Sequence, residues 1–121
     1  ETAFGPSHGL SHAMSYLRQN LGQSLSVDDL AQRAGMSRAV FDRRFREATT
    51  FSPLQFIKKL RLNEAAMQIA QGVNIGQAAG SVGYNSFSQF SREFRHHYGE
   101  APRRWGKMAR TTTTDTQLAA M

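Results

Sequence analysis

The chain has 121 residues, 40% of them hydrophobic, and its fifteen Lys and Arg against nine Asp and Glu give a formal charge of +6. That length suits one compact domain or two very small ones around a modest core, with no apolar run long enough to cross a bilayer and no signal-peptide pattern. Cysteine is absent, which excludes disulfides, thiolate catalysis and Cys-based zinc sites, and the basic excess points to a polyanionic partner.

Strand signals are nearly absent and the apolar periodicity is helical throughout, so the fold is expected to be all-α. The first residue is Glu1 rather than Met, so we read a processed product or a domain cut from a longer protein. Residues 1–8 read as a flexible lead-in to a folded domain over 9–109. Leu10, Ala13, Met14, Leu17 and Leu21 follow i, i+3, i+4, i+7 and i+11, one amphipathic helix closed by Gly22. Ser26 caps a second helix, with Asp29 three residues on as a capping box; it turns Val27, Leu30, Ala31 and Ala34 inward and stops at Gly35. Ser37 caps a third, with Phe41, Phe45 and Ala48 on one face. Ser52-Pro53 reads as an N-cap followed by Pro at the first helical position of a long helix ending near residue 71. Its Leu54, Phe56, Ile57, Leu60, Leu62, Ala65, Ala66 and Ile69 cover more than one stripe, as suits a connector packed against a subdomain at each end. Asn74 caps a short helix carrying Ile75, Ala78, Ala79 and Val82, ended by Gly83. Ser86 caps the next, with Phe90 and Phe94 inward and Gly99 at its end. Ala101-Pro102 opens a short final helix containing Trp105, and the Thr-rich run over 110–121 has little to bury, so it is expected to be disordered.

The two halves overlay. Before the turn the offset is 48 (Val27 on Ile75, Ala31 on Ala79, Gly35 on Gly83), and after it 49 (Ser37 on Ser86, Phe41 on Phe90, Arg43 on Arg92, Phe45 on Phe94, Arg46 on Arg95, Pro53 on Pro102). Each copy is a short helix, a tight Gly-containing turn and a longer helix, the helix-turn-helix layout. The charge follows the repeat. Arg38, Arg43, Arg44, Arg46, Lys58, Lys59 and Arg61 against Asp42 and Glu47 make one basic zone; Arg92, Arg95, Arg103, Arg104, Lys107 and Arg110 against Glu93 and Glu100 make another. A single zone reads as well as a solvated charged face; two zones at one place in two repeated units are harder to dismiss.

The stretches AGMSRAVFDRRFREATTFSPLQFIKKLRLNEA and VGYNSFSQFSREFRHHYGEAPRRW resemble the DNA-binding domain of AraC/XylS-type bacterial transcription regulators, over about residues 9–108. The second is the more specific, with Gly83, Tyr84, Ser86, Phe90, Ser91, Arg92, Phe94, Arg95, Gly99 and Pro102 all in the family's signature places. The resemblance implies seven helices in two helix-turn-helix subdomains, at about 26–49 and 74–98, joined by a long linker helix at about 53–71. Most relatives carry a separate N-terminal domain that senses a ligand or dimerises, so the chain is read as the C-terminal domain of a longer, cytoplasmic regulator. Docking on RNA polymerase is a further role the resemblance implies. DNA-repair relatives of the fold rely on nucleophilic cysteines, which are absent here.

In such a module the second helix of each unit enters the major groove of double-stranded DNA, about one helical turn (~34 Å) apart, with the linker setting the spacing. The first unit then offers Ala39, Asp42 and Arg43 to bases: Arg43 suits guanine O6 and N7, Ala39 a thymine methyl, and Asp42 either accepts from cytosine N4 or repels phosphate. The second offers Phe87, Ser88, Gln89 and Arg92. Gln89 reads adenine N6 and N7 or serves the capping box Ser86-x-x-Gln89; Arg92 reads guanine or pairs with Glu93 or Glu100; Phe87 touches thymine methyl or sugar, or folds back on the core. Phosphate contacts fall to Ser37, Arg38, Arg44, Arg46, Ser91, Arg95, His96, Arg103 and Arg104, with Lys58, Lys59 and Arg61 of the linker as further candidates.

No metal, cofactor or catalytic role is expected. His8 and His12 are spaced i, i+4 but lack a third ligand nearby, and His96 and His97 point to different helix faces. No GxSxG elbow or P-loop is present. The rival reading is an architectural protein that coats or bends DNA with little sequence preference, and the isolated module is expected to be a monomer.

Overall fold

The computed structural model of the chain describes residues 5–110, with side chains from 8 onward; the expectations for 1–4 and for 111–121 lie outside the described residues. Within them there are seven helices and no strand: α1 Gly5–Gln19, α2 Val27–Arg33, α3 Arg38–Thr49, α4 Pro53–Ala70, α5 Ile75–Ser81, α6 Phe87–Tyr98 and α7 over 102–110. The chain divides into two compact units between Leu60 and Arg61.

Three boundaries differ from expectation. Helix α1 opens at Gly5, so 5–8 are helix rather than flexible lead-in; Pro6 sits in the first turn, where a helix leaves the N–H unbonded in any case. It ends at Gln19, with Leu21 and Gly22 in a turn, because Asn20 Nδ2 donates to the Tyr16 carbonyl at 2.8 Å and closes the helix. Arg110 belongs to α7 rather than to a disordered tail, its guanidinium donating to the Ile69 carbonyl at 3.0 Å.

The helix starts follow the caps read from sequence. The side chains of Ser26, Ser37, Asn74 and Ser86 accept from the backbone N–H of Asp29, Val40, Gln77 and Gln89, at 3.1–3.3 Å. Each such cap contributes about 1 kcal/mol. At Ser52 the box closes in both directions, since Ser52 Oγ accepts from Gln55 N–H and Gln55 Oε1 accepts from Ser52 N–H. At Ser26 the Asp29 carboxylate turns forward instead, to Arg33 Nε at 3.0 Å. Gly35 and Gly83 adopt φ of 72° and 98°, the left-handed conformation that lets the chain turn between the two helices of each unit. At the ends of α3 and α6 the same region is taken by Thr50 (φ 67°) and Gly99 (φ 82°).

Each unit has its own apolar core. The first buries Ala13, Leu17, Leu30, Ala31, Phe41, Phe45 and Ile57; the second buries Leu62, Ala65, Ala66, Ile69, Ala78, Ala79, Val82, Phe90 and Phe94. Helix α4 thus contributes its N-terminal half to one core and its C-terminal half to the other. The phenylalanine pairs repeat closely: ring centroids lie 5.5 Å apart in both Phe41–Phe45 and Phe90–Phe94. No polar side chain is buried among the described residues. Two expected core positions are exposed: Leu54 in the first turn of α4, where Pro53 and Ile57 on either side of it are the buried residues, and Ala48 near the end of α3. Gly9 has a packing role that periodicity did not reveal. A Cβ at Gly9 would lie 2.3 Å from the Ala34 carbonyl oxygen, so α1 approaches the end of α2 closely only without one.

Candidate nucleic-acid interface

Helices α3 and α6 are the second helices of the two helix-turn-helix units, and their inner stripes are anchored by the buried phenylalanines. What remains outward is therefore set by the 3.6-residue period.

On α3, Ser37, Arg38, Ala39, Arg43, Arg44 and Arg46 are exposed and Asp42 is half-buried. Two of the cations carry partners. Arg46 Nε donates to Asp42 Oδ2 at 2.8 Å, one turn away, and Arg38 Nη1 donates to Asp28 Oδ1 at 3.0 Å, a bridge back to α2 that sequence spacing did not suggest. Exposed pairs of this kind are weak and exchange readily for another anion. Arg43 and Arg44 make no hydrogen bond or ion pair with the described residues.

On α6, Phe87, Ser88, Gln89, Arg92, Arg95 and His96 are exposed and Ser91 is half-buried. Phe87 does not fold back: it is 55% exposed, its ring 6.3 Å from that of Phe90. Arg92 does not form the ion pair weighed as its alternative. Glu100 instead accepts from Arg104 Nε at 3.2 Å, and Arg92 makes no hydrogen bond or ion pair with the described residues. Gln89 serves only half of a capping box. Its N–H donates to Ser86 Oγ, but its side-chain Nε2 runs forward to Glu93 Oε2 at 2.9 Å.

Sequence reasoning placed Tyr84 only in the signature and Glu93 only as a possible partner of Arg92. The Tyr84 hydroxyl donates to Glu93 Oε1 at 2.7 Å, and the ring packs edge-on against Phe90 at 5.1 Å. Burial, then the Glu93 carboxylate, raises the Tyr84 hydroxyl well above the ordinary phenol range; the nearby Arg61 opposes this. Burial also lowers the pKa of Arg61, a half-buried linker cation. The i, i+4 spacing of Gln89 and Glu93 was a visible signal; the approach of Tyr84 from the preceding turn was not.

Arg103 is exposed and lines an open groove of about 380 Å³ with Val73, Asn74, Ile75 and Arg110. Lys59 lies over the Phe51 ring at 5.2 Å. Among the described residues no group of three His, Asp or Glu lies where it could hold a metal ion, and no helix is long and apolar enough to cross a membrane.

Comparison with known proteins agrees with this geometry. The helix-turn-helix domain family model matches residues 30–108. The crystal structure of the DNA-binding domain of AdpA, a global transcriptional factor in complex with a target DNA, superposes with a TM-score of 0.81 at 30% identity, over 86% of this chain and 95% of that one. An AraC-type transcriptional regulator from Chromobacterium violaceum superposes with a TM-score of 0.78 at 30% identity, over 87% and 95%. The chain belongs to the AraC/XylS family of transcription regulators. Among curated relatives, the HTH-type transcriptional regulator ArgR of Pseudomonas aeruginosa is 31% identical over 93% of this chain and 37% of its own length. The chain spans about a third of the length of the curated relatives it matches. Its two units correspond to the two helix-turn-helix subdomains expected of the AraC/XylS DNA-binding domain.

Proposed function

We propose that the chain binds double-stranded DNA sequence-specifically, with α3 and α6 in successive major grooves, and so regulates bacterial transcription. The observation that carries this reading is the pair Arg43 and Arg92. They hold equivalent positions in two copies of one motif, both exposed and both without a hydrogen bond or ion pair to the described residues. An arginine so placed is available to guanine O6 and N7 together. Likeness to a domain crystallised on its target DNA supports the reading.

Ala39, Asp42, Phe87, Ser88 and Gln89 complete the base-facing set, with Asp42 the least available because Arg46 holds its carboxylate. Ser37, Arg38, Arg44, Arg46, Ser91, Arg95, His96, Arg103 and Arg104 grip phosphates and set affinity and its salt dependence. The two recognition helices would take grooves one helical turn, ~34 Å, apart. The role is non-enzymatic and needs no cofactor, in keeping with kinship to transcription regulators. The domain acts as a monomer in the bacterial cytoplasm, touches RNA polymerase when bound, and takes its regulation from a sensing or dimerising domain of a longer protein.

Selection from a randomised duplex library at about 150 mM salt, where purely electrostatic binding is suppressed, tests this. Two enriched blocks about one helical turn apart are expected. One block would mean that a single unit reads sequence. No motif, with binding that collapses as salt rises, would replace the reading with that of an architectural protein.

A further inference from the structure

We propose that Glu93, buttressed by Tyr84, is a positioning residue that fixes the amide of Gln89 in one orientation and so sets base preference at a single operator position. This rests on the DNA-binding reading above and adds a residue that itself faces no base.

A glutamine side chain on a recognition helix is an ambiguous reader. Its amide carries two N–H donors on one end and an acceptor on the other, and rotation by half a turn exchanges them. In this chain the rotation is blocked. Glu93 lies one turn along α6, and its ionised carboxylate only accepts hydrogen bonds, so the nitrogen end of Gln89 must face it, as the 2.9 Å contact has it. The carboxylate is in turn held at its other oxygen by the Tyr84 hydroxyl, from a half-buried ring seated against Phe90 in the turn before α6. The orientation of an exposed amide is thereby tied to the apolar core through two hydrogen bonds and one ring contact. Gln89 keeps one N–H and its oxygen for a partner. That is the pair needed by adenine, which presents N7 as acceptor and N6–H as donor; guanine, with acceptors at both N7 and O6, leaves the amide oxygen unpaired. The first unit has no such device: Gln89 and Glu93 correspond to Val40 and Arg44 at the offset of 49.

The test uses the whole chain and the operator it selects. Comparing motifs selected by the parent and by Gln89→Ala identifies the base pair that answers to Gln89. Affinities for the four bases at that pair are then measured for Glu93→Ala, Glu93→Gln and Tyr84→Phe, with circular dichroism to check folding. In Glu93→Ala the preference for adenine over guanine is expected to fall at least about fivefold at that pair, while preferences elsewhere in the operator persist. Glu93→Gln keeps an acceptor and should restore part of the preference. Tyr84→Phe should fall between. The proposal is overturned if Glu93→Ala weakens all sequences alike, which marks a structural role, or strengthens all alike, which marks a carboxylate that merely repels phosphate. It is also overturned if Gln89→Ala leaves the selected motif unchanged, although DNA reading by the chain then stands. Failure of the parent chain to select any motif removes both.

Discussion

The two units share an interior and differ at the surface. Phe41 and Phe45 repeat as Phe90 and Phe94 at the same 5.5 Å ring separation, Ala31 repeats as Ala79, and the turn glycines share their sign of φ. Outside, α3 ties down charge: Asp42 holds Arg46 and Asp28 holds Arg38. In α6 the position of Asp42 is Ser91, which leaves Arg95 unpaired among the described residues, and the order goes instead into a neutral amide fixed by Glu93 and Tyr84. Duplication of a core therefore constrains where side chains stand, but not what they present. The first unit's second helix presents exchangeable ion pairs where the second unit's presents a hydrogen-bonded polar chain.

The comparison breaks hardest at the shared interior. Phe45→Ala and Phe94→Ala each empty a fully buried ring site and should cost about 3–5 kcal/mol. Hydrogen exchange should find protection lost first in the unit carrying the change; equal loss in both would mean that the cores do not act as separate units.

Glycine replacement distinguishes the units next. Gly9→Ala in the first sets a Cβ 2.3 Å from a backbone carbonyl, whereas Gly106→Ala in the second sets one 2.7 Å from an Ile69 methyl group. Both overpack, at about 1–3 kcal/mol, and Gly9→Ala should be the worse in urea denaturation because a carbonyl within the turn has less freedom than a side-chain methyl.

Arg43→Ala and Arg92→Ala should each relax preference at one operator position, by about 1–3 kcal/mol against the wrong base, while leaving the other unit's block intact. Uniform weakening across sequences would reassign either arginine to phosphate.

Alkaline pH separates the units more gently. Tyr84 and Tyr98, both in the second unit, hold their protons more tightly folded than unfolded, chiefly through burial. Their contribution is therefore complete below the ordinary phenol value of 10.0 and is lost as pH rises beyond it. Thermal melts above that pH should lose stability, and Tyr84→Phe should flatten the loss. The smallest effect is expected from Asp42→Asn, which releases Arg46 at little cost to folding and should steepen the salt dependence of binding to any duplex.

Helix positions and core were largely legible because they depend on local rules. Ser26, Ser37, Ser52, Asn74 and Ser86 each cap the helix assigned to them, and the apolar stripes of α2, α3, α5 and α6 supply the buried core residues, Ala48 at the end of α3 excepted. The errors arose where one side chain outweighed a pattern. Asn20 ends α1 before Leu21, and Leu54 stands exposed within an apolar run. The outward positions of the candidate interface were legible for the same periodic reason. Their partners were not, since Arg38–Asp28 and Tyr84–Glu93 join residues whose sequence separation carries no helical signal. Gly9 illustrates the same limit: a close approach between helices leaves no trace in the spacing of either one.

Helix α3 ends on Thr50 in a backbone region that α6 reaches with Gly99. A β-branched residue rarely visits that region, so the first unit retains a local strain in its folded form that the second avoids. Before folding the balance reverses, because threonine surrenders fewer backbone conformations than glycine on being fixed in place. The same bend is thus reached from a narrower denatured ensemble in one copy and a broader one in the other, and exchanging the two residues would trade folded-state strain against chain entropy.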